Sequence, residues 1–298
     1  MKRLLKWLGI VLGSLLGLII VVVLGIYLIA GQRLNRTYTV NTPAIEIPTD
    51  EAALARGEHL VETVSECSGC HGPDFSGRAF WEDGMMGYLY SANLTSGEGG
   101  IGATYSDEDW VRALVHGVSK SGRPVVLMPS HHYTNYSDAD LGAIVAYLKA
   151  LEPVDKVHPT PALGPLSRIL LTLGALPPLP AERIDHNAAR PATPAEAPTA
   201  AYGQYLVSGA ACRECHGDQL AGGQADPNEP AGPNLTPGGR VGEWTQENFF
   251  STILTGIRPD GTALHEFMPW YKYRDMSNTE LEAIWHYLES LEPLPSAL

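Results

Sequence analysis

Cys67-Ser68-Gly69-Cys70-His71-Gly72 and Cys212-Arg213-Glu214-Cys215-His216-Gly217 are the two stretches on which the reading of this chain turns. In each, two thiols separated by two residues lie about one helical turn apart. That is close enough for both to add to the two vinyl groups on one edge of a porphyrin. The histidine that follows directly swings beneath the ring and gives an imidazole nitrogen to the iron. This Cys-x-x-Cys-His spacing is a haem-attachment signal. A structural zinc site could use the same thiolates. One pentad alone would leave that choice open. Here two pentads use all four cysteines of the chain and sit at matching places in an internal repeat, which favours haem and leaves no thiol for a disulfide.

The repeat runs outward from the pentads. Arg56-Gly57-Glu58-His59-Leu60-Val61 precedes the first and Tyr202-Gly203-Gln204-Tyr205-Leu206-Val207 the second, both read as short helices. After them come Asn93-Leu94-Thr95 and Asn234-Leu235-Thr236, then helix starts at Ser106-Asp107-Glu108-Asp109 and Thr245-Gln246-Glu247-Asn248, then Met128-Pro129 and Met268-Pro269. Ser137-Asp138-Ala139-Asp140 and Ser277-Asn278-Thr279-Glu280 read as N-cap boxes, in which a serine oxygen accepts an orphan backbone N–H. Leu141, Ile144, Val145, Leu148 and Leu151 then recur at helical spacing, as do Leu281, Ile284, Trp285, Leu288 and Leu291, with Pro153 and Pro293 as stops. The predicted organisation is mainly α: an N-terminal anchor over residues 1–31, a tether over 32–51, a first haem domain over 52–153, a Pro/Ala-rich linker over 154–200 and a second haem domain over 201–298. Within the otherwise extended linker, residues 163–179 are apolar with Arg168 as their one charge, too short and too proline-broken to span a membrane. Packing within this chain is expected of them.

The iron's sixth ligand must come from the far face of the ring. Met128 and Met268 occupy matching places, each stiffened by a following proline, and thioether ligation raises the haem potential. Met85, Met86 and Met276 compete for the role, and core filling is the ordinary use of a methionine. His131, His132 and His265 lie close by and would instead give a His/His haem. His59, His116, His158, His186 and His286 read as surface or core residues. Trp81, Tyr105, Trp110, Trp244, Phe249 and Trp270 are candidates to wall the haems, and Arg78 and Arg240 to pair with propionates, although packing and solvation explain them equally well.

Residues 7–30 carry no charge and as a helix of ~36 Å exceed a hydrocarbon core of ~30 Å. Lys2, Arg3 and Lys6 precede them, which keeps the N-terminus in the cytoplasm and everything after about Gly31 outside. A cleaved signal peptide is the rival; the apolar run is long for one, and Leu28-Ile29-Ala30 lacks the small residue expected three before the cut. Gly9, Gly13 and Gly17 at spacing four leave contact with another membrane helix open. The 298 residues carry a net charge of −13, which argues against a nucleic-acid partner.

In the order of these elements the chain resembles class I cytochrome c domains, and most of all the cytochrome c subunits of membrane-bound alcohol, gluconate and sugar dehydrogenase complexes. Gly117-Val118-Ser119-Lys120-Ser121-Gly122 and Gly256-Ile257-Arg258-Pro259-Asp260-Gly261 complete the pattern. The resemblance covers about residues 50–298. It implies two covalently bound haem c groups, with Cys67, Cys70, His71 and Met128 holding one and Cys212, Cys215, His216 and Met268 the other. Those subunits usually carry three haems, so two units and an N-terminal anchor are departures. The expected function is electron relay outside the cytoplasmic membrane, in the periplasm, between redox partners such as a dehydrogenase catalytic subunit, an oxidase, or a small cytochrome or cupredoxin. An iron ligated by protein on both faces offers no position to substrate. The competing expectation is a dihaem enzyme of the peroxidase or thiosulfate-oxidising type, which needs one open or unusual ligand position. No dinucleotide-type glycine motif or catalytic triad stands out elsewhere.

Overall fold

The computed structural model describes residues 2–223 and 231–297; Met1, residues 224–230 and Leu298 at the end of the second unit lie outside them. Helix α1 (Lys2–Asn35) runs four residues past the expected end of the anchor. It is long and apolar enough to cross a membrane, and its apolar side chains are exposed along most of its length. An extended segment leads to α2 (Glu51–His59), capped by Asp50, whose carboxylate accepts the Ala53 N–H. α2 continues through a π turn over Leu60–Val64 into the pentad helix α3 (Cys67–His71). A hairpin follows, β1 (Ala79–Asp83) and β2 (Gly87–Tyr90). Next come α4 (Asp107–His116), the short α5 (Ser130–Tyr133) and α6 (Asp138–Ala150). The linker contributes β3 (Ala162–Leu163), α7 (Pro165–Leu173) and α8 (Pro180–Arg183). The second unit repeats the helices: α9 (Ala200–Gly209), the pentad helix α10 (Cys212–His216), α11 (Gln246–Thr255), α12 (Trp270–Tyr273) and α13 (Asn278–Glu289).

The caps read from the sequence form. Ser106, Thr245 and Ser277 make reciprocal capping boxes with Asp109, Asn248 and Glu280. Ser137 caps α6 by accepting the Asp140 N–H, but the Asp140 carboxylate turns away to Arg56 and Tyr205.

In each unit the first and last helices cross in close contact, α2 on α6 and α9 on α13. Glycine makes the approach possible. A Cβ on Gly57 would stand 2.0 Å from the Ala143 carbonyl oxygen, and one on Gly203 1.9 Å from that of Ala283. The two units share one continuous core: Leu60, Val64, Leu141 and Val145 of the first join Tyr202, Leu206, Leu281 and Leu288 of the second, with Tyr136 fully buried between them. The Tyr136 ring lies edge-on to Tyr205 at 5.8 Å, and its hydroxyl bonds Ser65 Oγ at 2.8 Å.

The linker is less extended than expected. β3 adds to the hairpin to form an antiparallel sheet in the order β1-β2-β3. α7 packs on the end of α1, around Leu163, Leu171 and Leu179 with Leu34, Trp81, Val126 and Leu176. Arg33 donates to the Leu171 carbonyl at 2.6 Å and pairs with Glu182, also at 2.6 Å. The apolar piece of the linker thus packs within the chain, as expected, and joins the anchor to the first unit.

Candidate haem-binding sites

Each pentad helix is entered and left through unusual backbone. Glu66 and Ala211, directly before the first cysteines, hold φ of 47° and 56°, and Gly72 and Gly217, directly after the histidines, hold 83° and 79°. Phe75 and Leu220 repeat the left-handed conformation four residues past each histidine, at 56° and 57°. For a residue with a Cβ this costs on the order of 1–2 kcal/mol. The same strain recurs at the same places in both units, so the pentad loops share one shape. Only the glycines were legible in advance.

What aims the histidines is another feature invisible to motif reading. His71 Nδ1 lies 2.9 Å from the Ala92 carbonyl oxygen, and His216 Nδ1 2.7 Å from that of Pro233. The carbonyl can only accept, so Nδ1 carries the proton and donates it. Nε2 is left as the lone-pair nitrogen, free to meet a metal. Burial lowers the pKa of both histidines, which favours the neutral, ligating form.

Ala92 and Pro233 immediately precede the Asn-Leu-Thr motifs, and this explains those motifs. Asn93 Oδ1 accepts from the Thr95 N–H and hydroxyl at 3.0 and 2.8 Å, while its Nδ2 donates to the Val154 carbonyl at 2.8 Å. Asn234 does the same with Thr236, at 2.8 and 2.8 Å, and with the Leu294 carbonyl at 2.8 Å. Each motif ties its loop to the chain just beyond the unit's last helix, and so fixes the carbonyl that orients the histidine.

None of the four cysteines is joined in a disulfide. Burial pushes the Cys67 and Cys212 thiols up to about 12, so in the folded chain they are weak nucleophiles.

Met128 and Met268 are half-buried against the shared core, each just before a Pro-led short helix. Leu127, before Met128, is left-handed at φ 64°. The competing methionines are placed otherwise. Met276 is buried in the core, Met85 is 59% exposed at the hairpin turn, and the Met86 carbonyl accepts from Gly164 beside β3. His131 and His132 turn toward Glu214 of the other unit, and His265 stacks on exposed Phe267. Among the aromatic candidates, Trp110 and Phe249 are core residues, and the Trp110 indole N–H is buried without a partner among the described residues. Trp81 belongs to the linker cluster, and exposed Arg240 pairs with Asp260 at 3.3 Å.

The units grip each other reciprocally. Tyr271, just after Met268-Pro269, donates to Glu66 at 2.9 Å, and Lys272 donates to Ser68 at 3.1 Å; both acceptors flank or lie in the first pentad. His131 and His132, just after Met128-Pro129, reach Glu214 in the second pentad at 2.9 and 3.0 Å. Between them lies a buried polar network. Arg56 forks onto both Asp140 oxygens at 3.0 and 3.1 Å, Tyr205 donates to Asp140 at 2.6 Å, and His59 meets Glu280 at 2.9 Å.

Repeated helical units built on Cys-x-x-Cys-His, each with its histidine's Nε2 left with a lone pair, define a c-type cytochrome. The family model described as "Cytochrome C oxidase, cbb3-type, subunit III" matches residues 52–148 and 198–288, and the chain belongs to that family. It is 28% identical, over 83% of its length, to the cytochrome c subunit of the quinone-type alcohol dehydrogenase of Gluconobacter oxydans. It is 30% identical over 89% of its length to the fructose dehydrogenase cytochrome subunit of Gluconobacter japonicus, and 29% identical over 81% to the gluconate 2-dehydrogenase cytochrome c subunit of Pantoea cypripedii. The chain spans 56%, 57% and 60% of those relatives in turn. The family binds haem c and the chain is an electron-transfer cytochrome.

Proposed function

We propose that this chain is a membrane-anchored dihaem cytochrome c that relays electrons on the outer side of the cytoplasmic membrane as a subunit of a dehydrogenase complex. The observation that carries this reading is the duplicated pentad whose histidine is held by a backbone carbonyl, Ala92 in one unit and Pro233 in the other. Bound haem c supplies a one-electron iron couple. Cys67 and Cys70, and Cys212 and Cys215, tether the two groups, so that neither is lost outside the cell. His71 and His216 would each hold the iron through Nε2, and Met128 and Met268 through their thioether sulfurs. The turning of His131 and His132 toward Glu214 supports methionine as the ligand in the first unit. Iron held by a histidine and a methionine in each unit would leave no position open to substrate, so the chain's residues would bind, orient and insulate the groups. The haem units are residues 52–153 and 201–298, held outside by α1 with Lys2, Arg3 and Lys6 inside. The names of the relatives above support a dehydrogenase catalytic subunit as the electron donor.

Expression with haem-attachment machinery tests this. The mass of the intact chain should show two haems, with Cys67→Ala/Cys70→Ala and Cys212→Ala/Cys215→Ala each losing one. The near-infrared thioether-to-iron band should fall by about half in Met128→Ala and in Met268→Ala. A single haem, a band untouched by both substitutions, or sustained peroxide turnover would defeat the reading. Gentle detergent extraction should bring a dehydrogenase subunit with the chain.

A further inference from the structure

Between the two units, away from the histidines assigned to iron, three donor groups converge on one point. His131 and His132 lie on α5 of the first unit and Glu214 within the second pentad, and one donor atom from each falls within 4.8 Å of the others. His131 Nε2 is 2.9 Å and His132 Nε2 3.0 Å from the same carboxylate oxygen, Oε1. A tetrahedral cation with bonds of ~2.1 Å sets its ligand atoms ~3.4 Å apart, so each imidazole nitrogen would move off the carboxylate oxygen by about half an ångström, and the three donors already lie within 4.8 Å of one another.

Hydrogen bonding accounts for only part of the arrangement, the bond between His131 Nε2 and Glu214 Oε1 at 2.9 Å. His132 is buried, 7% exposed, yet its Nε2 makes no hydrogen bond despite that short distance, because the carboxylate oxygen lies off the direction of the ring nitrogen. His131 Nδ1 is likewise buried without a partner. Neighbouring rings with centroids 4.0 Å apart, presenting orphaned nitrogens beside a carboxylate, are expensive to keep in a bare protein. A cation coordinated by His132 Nε2 would remove that nitrogen's share of the cost.

We propose that His131, His132 and Glu214 form a divalent transition-metal site that clamps the first unit to the second. Two imidazoles and one carboxylate, with no thiolate, suit Zn(II) or Cu(II) and not Ca(II) or Mg(II), which take oxygen ligands throughout. The Arg183 guanidinium stands 3.8 Å from Glu214 Oε1 and competes for it, but Arg183 is 40% exposed and can swing into solvent as the metal enters. Because α5 directly follows Met128-Pro129 and Glu214 lies between Cys212 and Cys215, occupancy would couple the distal loop of one unit to the attachment helix of the other.

The test uses the full chain with its haems, in detergent, free of any polyhistidine tag and stripped with chelator. Titration with Zn(II) alone should show one equivalent of strong binding. His131→Gln, His132→Gln and Glu214→Gln should each weaken it at least tenfold while the haem spectrum is retained. His286→Gln, which alters an exposed histidine between Glu282 and Glu289, should leave it unchanged. If a variant fails to take up haem, zinc X-ray absorption of the unaltered chain decides, and two imidazoles in the coordination shell are required. No strong equivalent, equal affinity in the three variants, loss in His286→Gln, or fewer than two imidazoles overturns the site.

Discussion

Replacing Gly203 by alanine puts the close crossing of α9 on α13 to its hardest test. The new Cβ would sit 1.9 Å from the Ala283 carbonyl oxygen, 2.5 Å from its carbon and 2.8 Å from Tyr287 Cβ, where ordinary contact begins at 3.4 Å. The obstacle is backbone and cannot rotate away, so α9 and α13 must part by about 1.5 Å in a core that has no slack. A radial gap of 0.5–1 Å already forfeits roughly a quarter to a half of the dispersion attraction between facing side chains, here among Leu206, Leu281, Trp285 and Leu288. Overpacking of this kind costs ~1–3 kcal/mol, and a backbone obstacle places Gly203→Ala at or above the upper end. Alanine returns ~1 kcal/mol through helix propensity. The expected net loss is about 2 kcal/mol, or roughly 10 °C for a unit of this size. Guanidinium and thermal unfolding of the haem-loaded chain, followed by circular dichroism, would read it. Gly57→Ala, with its 2.0 Å approach to Ala143, should cost a similar amount in the first unit, while Gly13→Ala on α1, with nothing within 4 Å, should cost nothing. If Gly203→Ala proves as stable as the unaltered chain, the close crossing of α9 on α13 is wrong, and with it the frame that carries the second pentad.

Two further outcomes follow from buried groups. Arg56→Ala strips the counter-charge from Asp140 and Glu280, each 4% exposed, and should destabilise the chain by ~3–5 kcal/mol; an effect under ~0.5 kcal/mol in denaturant titrations would show that water already solvates the network. The His116 pKa is lowered to about 4 by burial, with His186 and Arg190 nearby adding to the effect. Its folded value lies below its ordinary one, so the unfolded chain binds the extra proton, and the contribution is present above pH ~6.5 and drains away as pH falls toward ~4. His116→Gln should flatten the stability–pH profile over that window by up to ~3 kcal/mol, and identical slopes in the two proteins would refute the assignment.

Much of this molecule was readable as a string because its chemistry is local. A pentad needs only five consecutive residues to define a haem-attachment helix. A cap needs a serine or threonine and the backbone three residues on, and those at Ser106, Thr245 and Ser277 formed as the pattern implied. The long apolar N-terminal helix is likewise read from length and polarity alone. The repeat aligned every such element with its counterpart, and so made each half a check on the other.

What the string withheld depends on groups far apart along it. The carbonyls of Ala92 and Pro233 choose which nitrogen of His71 and His216 is left for a metal, and any backbone carbonyl would have looked the same in the sequence. The Asn-Leu-Thr motifs were visible, but their partners, Val154 and Leu294, lie about sixty residues further on. β3 pairs with β2 across the whole of the first unit's later helices, and so a segment read as linker became the third strand of a sheet. The reciprocal grip of the two units, with Arg56 and His59 on Glu280, Tyr205 on Asp140, and His131 and His132 on Glu214, arises only when both are folded and packed. Sequence by itself determined what kind of unit each half is, because thiol spacing, capping and periodicity act within a few turns of chain. Tertiary structure alone decided how His71 and His216 are aimed and how the units share one core, because hydrogen bonds and packing between distant residues have no period to read.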